Sequence, residues 1–138
     1  MMQIIGLDLG DKTLGIAISD ALGMMAHGVE TFSFKTAHYQ HAVVYLADFI
    51  KKENVAKFVL GLPKNMNGSE GERAAISRRF AQKLTAATGL EVVLWDERLT
   101  SMQAERVLIA GDVRRENRKN YIDKIAATVI LQSYLDAN

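Results

Sequence analysis

The chain has 138 residues, 49% hydrophobic and 24% charged, with 17 Lys and Arg against 16 Asp and Glu and no cysteine. That is one globular domain over residues 1–138 with length for a single core. The balanced charge excludes a globally basic nucleic-acid binder, so any such footprint is a local patch, and the missing cysteines exclude disulfides, thiolate metal sites and cysteine catalysis. The start, Met1-Met2-Gln3-Ile4, lacks the pattern of a secretion signal, and no apolar stretch reaches membrane-spanning length, so a soluble, cytoplasmic protein without membrane contact is expected.

Residues 3–9 and 14–20 read as strands joined by the turn Gly10–Thr13, which predicts a hairpin. In the second strand apolar residues occupy both parities, as in a strand covered on both faces. A third strand is expected around 28–34. Residues 39–52 then switch to helical spacing, with Val43, Leu46, Ala47 and Ile50 on one face and Lys51 and Lys52 in the last turn. Phe58–Leu62 is a short buried strand ended by Pro63, followed by a polar loop from Lys64 to Gly71. Ser69 and Glu72 have the spacing of a capping box. The helix they would open carries Ile76, Phe80 and Leu84 and stops at Gly89. A strand follows at 91–95. Thr100 and Gln103 suggest a second capped helix, residues 112–120 are polar and basic, and a last helix over 121–136 puts Ile122, Ile125, Ala126, Val129 and Ile130 on one stripe. Trp95 and the methionines read as core. The order predicts an α/β fold: a mixed five-stranded sheet, three antiparallel strands followed by β-α units, covered by helices.

Asp8 lies inside the first strand, on the parity of Ile4 and Gly6, where glycine leaves space. A carboxylate there costs several kcal/mol (~2 or more) unless a cation or hydrogen bonds compensate it. Asp96 and Glu97 follow the 91–95 strand, and Asp123 sits in the first turn of the last helix. In open α/β sheets, sites gather at strand carboxyl ends. Clustered carboxylates need a cation between them, and oxygen donors without Cys or His suit Mg²⁺ or Mn²⁺. Two such ions can clamp the attacking and leaving oxygens of a phosphodiester. Each acid also has a plainer reading. Asp8 could accept turn amides, Glu97 could pair with Arg98 or Lys12, and Asp123 could simply favour a helix start. Which of Asp96 and Glu97 faces the site depends on where the strand ends.

On the substrate side, Lys12 follows Asp8 in the first turn. Lys64 and Asn65 lie in a loop leading into a helix N-terminus, a combination that can hold phosphate and can equally be an ordinary Asn-Gly turn. Arg98 stands beside the acids. Arg114 and Arg115 begin a basic run that would be either a backbone-binding strip or a solvated loop. Tyr121 could stack on a base or pack. His38 and His41, three residues apart, lack an evident third metal ligand.

The segments Gly6-Leu7-Asp8-Leu9-Gly10, Lys12-Thr13-Leu14-Gly15, Gly61-Leu62-Pro63-Lys64-Asn65-Met66-Asn67-Gly68, Asp96-Glu97-Arg98-Leu99-Thr100-Ser101 and Asp123-Lys124-Ile125-Ala126-Ala127 occur in this order. Together they resemble the YqgF (RuvX-like) family of small bacterial proteins over essentially the whole chain. The resemblance implies an RNase H-like fold and a nuclease that matures the 5′ end of pre-16S ribosomal RNA, a family earlier assigned to Holliday-junction resolution by similarity to RuvC. It also implies that Asp8, Glu97 and Asp123 are the catalytic, metal-holding acids. Asp11 departs from the small hydroxyl residue common at that position, as an added ligand or a solvated turn residue.

Four functions compete on this reading. The first is cleavage of structured RNA, with pre-16S rRNA and ribosomal precursor particles as partners. The second is the same chemistry on branched DNA, where paired nicks call for a dimer; the chain itself is expected to be a monomer or weak homodimer. The third, an actin-like phosphate-binding hairpin, suffers from a chain too short for two lobes. The fourth is a non-catalytic RNA-binding assembly factor.

Overall fold

Ile5, Leu7 and Leu9 share one parity of the first strand, β1 (Gln3–Leu9), and all three are buried on one face of the sheet. The computed structural model describes residues 2–97 and 118–138, the side chains of 118–123 excepted. β2 (Thr13–Ser19) returns antiparallel to β1, with Asp8 opposite Gly15, and the Gly10 amide closes the turn on the Thr13 carbonyl at 2.7 Å. β2 is buried at four consecutive positions, Leu14 to Ala17, as expected of a strand covered on both faces. β3 (Ala26–Ser33) pairs antiparallel with β2, starting two residues before the predicted position, and its register shifts near Val29.

The chain then crosses over through α1 (Tyr39–Phe49), which tightens into a 3₁₀ turn over Ile50–Lys52 where a continuous helix to 52 was expected. β4 (Val55–Leu62) begins three residues earlier than predicted and runs parallel to β1. α2 (Glu72–Thr88) ends at Gly89, whose φ of 75° is the left-handed conformation that glycine adopts without strain. β5 (Glu91–Asp96) runs parallel to β4, and α3 (Arg118–Ala137) closes the chain. The sheet order is β3-β2-β1-β4-β5. The mixed five-stranded α/β sheet with three antiparallel strands at the start is therefore as predicted.

Two cores flank the sheet. Ile5, Leu7, Leu14, Ile16, Phe58 and Leu60 pack under α1 and α2 against Val43, Leu46, Phe80 and Leu84. On the other face Ala17, Val59 and Ala26 meet Ala127, Ile130, Leu131 and Tyr134 of α3. This second interface is close. A Cβ on Gly6 would lie 2.6 Å from Leu131 Cβ and 2.9 Å from the Ala127 carbonyl, and one on Gly28 would lie 2.8 Å from Lys124 Cγ. The space left by Gly6 is thus filled by α3. At the far side of the seam the Trp95 indole N–H donates to Ser133 Oγ at 3.0 Å, and the ring meets Tyr134 edge-on, 5.4 Å between centroids.

Three local expectations are corrected. The buried stripe of α3 is Ala126, Ala127, Ile130, Leu131 and Tyr134, while Ile125 and Val129 are only half-buried. The helix is rolled by about one position because small Ala127 must face Gly6 for the backbones to approach. Ser69 does not cap α2. Its amide and hydroxyl are both bonded to Asn67 Oδ1, at 3.0 and 2.6 Å, and Gly71 holds the N-cap position without a side-chain bond. Met2, Met24, Met25 and Met66 are exposed rather than core, because they fall at the chain start, in the β2–β3 turn and in the 63–71 loop, outside both layers. The helix expected from Thr100 lies outside the described residues.

Candidate active site

β1, β4 and β5 are parallel, so their carboxyl ends share one edge of the sheet. Leu7 pairs with Leu60, so Asp8 and Gly61 follow as the next positions along β1 and β4. Asp8 shares the parity of Gly6, whose face is covered by α3, and is itself half-buried. On β5, Val93 and Trp95 face the α3 core while Val92 and Leu94 face the other. Glu97 continues the first parity and Asp96 the second.

The side chain of Glu97 confirms that alternation. Its Oε2 and Cδ lie over the bare α-carbon of Gly61, in the space a Cβ there would need, beside Ile130 Cδ1 of α3. The Glu97 amide donates to the Leu62 carbonyl at 3.3 Å, which extends the β4 pairing one step past β5. Asp8 and Glu97 therefore stand on the same face and edge, on the strands either side of Gly61. Asp96 is exposed on the opposite parity. Of the two residues left open by the sequence, Glu97 is the one that shares the face of Asp8.

Burial pushes the Glu97 carboxyl above the ordinary glutamate value; nearby Arg73 pulls it down and Asp96 pushes it up further. A half-buried carboxylate beside a second acid is a costly arrangement that a hard cation relieves. The donor set, carboxylate oxygens, fits Mg²⁺ or Mn²⁺. Among the described residues no three acidic or imidazole side chains form a cation site. The third expected acid, Asp123, falls on α3 one turn before Ala127, and its side chain lies outside the described residues. Ala127 packs at Gly6, and the N-terminal end of α3 points toward the carboxyl edge, since Gln132 meets the start of β3 at Ala26 while Lys124 and Thr128 meet Gly28 farther along it. Residue 123 thus belongs to the end of α3 nearest Asp8.

Arg73 was missed from the sequence. It lies in the first turn of α2 and donates from Nη2 to the Leu9 carbonyl at 3.0 Å, with Nη1 3.5 Å from the Tyr39 hydroxyl. The available signal was its place, since a cation in a first helical turn opposes the helix dipole and implies an acceptor nearby. Lys12 lies in the β1–β2 turn at this same edge, as does Asp11, which is exposed and whose carbonyl accepts the Ala37 amide at 2.8 Å in the manner of a turn residue. Lys64 and Asn65 open the β4–α2 loop, also at the carboxyl edge, and Asn65 Nδ2 donates to Ser69 Oγ at 3.0 Å. Arg98, Arg114 and Arg115 lie outside the described residues, as does the side chain of Tyr121.

A family model described as RuvX, Holliday junction resolvase, matches residues 2–137. The chain is 54% identical over 136 residues to a Geobacillus kaustophilus protein named "Putative pre-16S rRNA nuclease", with 99% of each chain covered. A Bacillus subtilis protein of the same name is 52% identical over 136 residues, again with 99% of each covered. Among solved structures, Thermus thermophilus RuvC in complex with a Holliday junction substrate superposes with a TM-score of 0.58 at 13% identity, covering 98% of this chain and 96% of that one. The fowlpox virus Holliday junction resolvase gives 0.58 at 18% identity, covering 99% and 100%. These two likenesses establish the RuvC-like, RNase H-type fold.

Proposed function

The chain belongs to the RuvX family, and from that premise we propose that it is a metal-dependent nuclease that processes the 5′ end of pre-16S ribosomal RNA. The observation that carries the reading is the register that sets Asp8 and Glu97 on either side of Gly61, facing α3 at the carboxyl edge of the sheet.

Asp8, Glu97 and Asp123 would hold Mg²⁺ or Mn²⁺, as a pair of ions in the fullest form. Bound there, the metal supplies charge that activates water and stabilises the departing alkoxide. Asp8 stands on the central strand β1, paired on both sides by β2 and β4, so its backbone is held in place at the edge of the sheet. Glu97 is held down against Gly61, which excludes water from one side of its carboxylate. Asp123, on a different layer, would complete the set from above. Arg73, fixed to the Leu9 carbonyl, keeps a positive charge near Glu97 when no metal is present. Lys12, Lys64, Asn65, Arg98, Arg114 and Arg115 would contact substrate phosphates around this centre.

The family description and the fold of the junction-resolving neighbours favour branched DNA as the second reading. Purified protein with Mn²⁺, offered a pre-16S-like RNA and a four-way DNA junction side by side, separates the two. Cleavage of the RNA that disappears in Asp8→Asn supports the ribosomal reading. Paired nicks in the junction transfer the function to DNA. Absence of Asp8-dependent cleavage on either substrate moves the reading to a nucleic-acid-binding assembly factor or to an enzyme that needs a partner.

A further inference from the structure

The carboxyl edge continues beyond the acids, on the α1 side. Arg73 links the two regions: its charge acts on Glu97, and its guanidinium reaches the Tyr39 hydroxyl at the start of α1. Tyr39 in turn lines an open pocket of about 330 Å³ together with Lys35, His38, Gln40, His41 and Lys83. Among the described residues no acidic side chain lines it. The segment is tied to the sheet edge, because the Phe34 amide donates to the Lys12 carbonyl at 2.9 Å and the Ala37 amide to the Asp11 carbonyl at 2.8 Å.

The chemistry of the lining selects the ligand. The His38 and His41 rings lie 5.5 Å apart, a pairing that in isolation invites a metal. Lys35 and Lys83 in the same wall repel a cation, and no carboxylate of the described lining offsets them. An anion meets the opposite balance: two ammonium groups, two imidazoles that can donate, the Gln40 amide and a phenol. The pocket is too roomy for a small inorganic anion alone and suits a phosphodiester with its sugar. Arg73 joins this pocket, on the α1 face, to the acid centre on the α3 face, so a strand crossing that edge would present the phosphodiester as part of the same substrate.

We infer that the Lys35–His38–His41–Lys83 pocket binds a backbone phosphate of the nucleic-acid substrate, away from the bond that is cut, and so fixes how the strand crosses the carboxyl edge. This rests on the nuclease reading for the identity of the ligand. Backbone phosphates are common to RNA and DNA, so both probes are used.

The test measures binding rather than cleavage. Fluorescence anisotropy with a labelled hairpin RNA and a labelled four-way DNA junction, without divalent ions, is followed across KCl concentrations for wild type, Lys35→Gln/Lys83→Gln, His38→Gln/His41→Gln and a control pair, Lys51→Gln/Lys52→Gln. The control lysines sit in the 3₁₀ turn at the opposite end of α1. For the Lys35/Lys83 pair the expected result is an affinity loss of about tenfold at 0.1 M KCl and a salt slope shallower by roughly one to two, with charge-keeping Lys→Arg changes restoring both. The histidine pair should lose affinity in the same sense, and the control pair should match wild type. Equal slopes for wild type and the Lys35/Lys83 pair overturn the pocket while leaving the nuclease reading standing. An equal loss in the control pair reduces the effect to overall charge and also overturns it. A wild-type protein that binds neither probe overturns both.

Discussion

The carboxylate of Glu97 occupies the space in which a side chain on Gly61 would begin. The smallest substitution at Gly61 must therefore move the acid. Gly61→Ala should keep the fold, at a cost of about 1–3 kcal/mol in urea denaturation from overpacking, and should lower cleavage more than tenfold (~10²) through misplaced ligation. Full activity in the Gly61→Ala variant would show that Glu97 is not a working part of the site.

Replacing the carboxylates themselves should separate catalysis from folding. Asp8→Asn and Glu97→Gln each remove a charge from a crowded edge. Loss of Mn²⁺-dependent cleavage by more than about 100-fold is expected, together with an unchanged or higher Tm for the metal-free protein. A fall in Tm comparable to a core mutation would mean that the acids serve structure.

The raised Glu97 carboxyl has a consequence for stability against pH. An acid whose folded pKa exceeds its unfolded value of 4.5 stabilises the fold most while protonated. That contribution is complete below the unfolded value and is lost as pH rises through the folded one. Glu70, held low by its bond to Arg78, works in the opposite sense. The clean measurement is the difference between wild type and Glu97→Gln. Without divalent ions, the glutamine variant should gain Tm relative to wild type as pH rises above 4.5. Added Mn²⁺ should raise the wild-type Tm selectively, closing that gap.

Gly6 tests the seating of α3. Its missing Cβ lets Leu131 and the Ala127 backbone approach. Gly6→Ala should cost about 1–3 kcal/mol and reduce cleavage, because lifting α3 displaces the segment that carries Asp123. Calorimetry beside a rate measurement reads both, and a neutral Gly6→Ala would refute the close seam.

Arg114 and Arg115 stand in a basic run of the sequence. Changing both to Ala should weaken nucleic-acid binding and flatten the dependence of log Kd on log salt by about two. An unchanged slope would remove them from the interface.

The sheet was legible from the sequence because Ile5, Leu7 and Leu9 alternate with Ile4, Gly6 and Asp8, and because β2 is apolar at both parities. Asp8 stood out locally as a carboxylate inside an apolar strand, whereas Glu97 was preferred to Asp96 only through the family resemblance, because the face of each depends on where the strand ends. The ends of β3 and β4 were not, since backbone pairing extended them past their apolar runs. The roll of α3 depended on Gly6, Gly28 and Gly61 from three strands, a match that no local periodicity encodes. Ser69 had capping chemistry, but Asn67 lies closer in sequence and took its bonds. Arg73 acquired its meaning only through the Leu9 carbonyl, 64 residues away in the chain.

Trp95 is the only tryptophan in the chain, and its indole is bonded to Ser133 across the seam between β5 and α3. The protein therefore carries an optical reporter two residues from Glu97. Its emission reads the docking of one helix, without a label, while far-UV circular dichroism reads all of them. If α3 detaches before the sheet melts, a red shift in fluorescence will precede the loss of ellipticity, and cations that knit helix to sheet will draw the two transitions together.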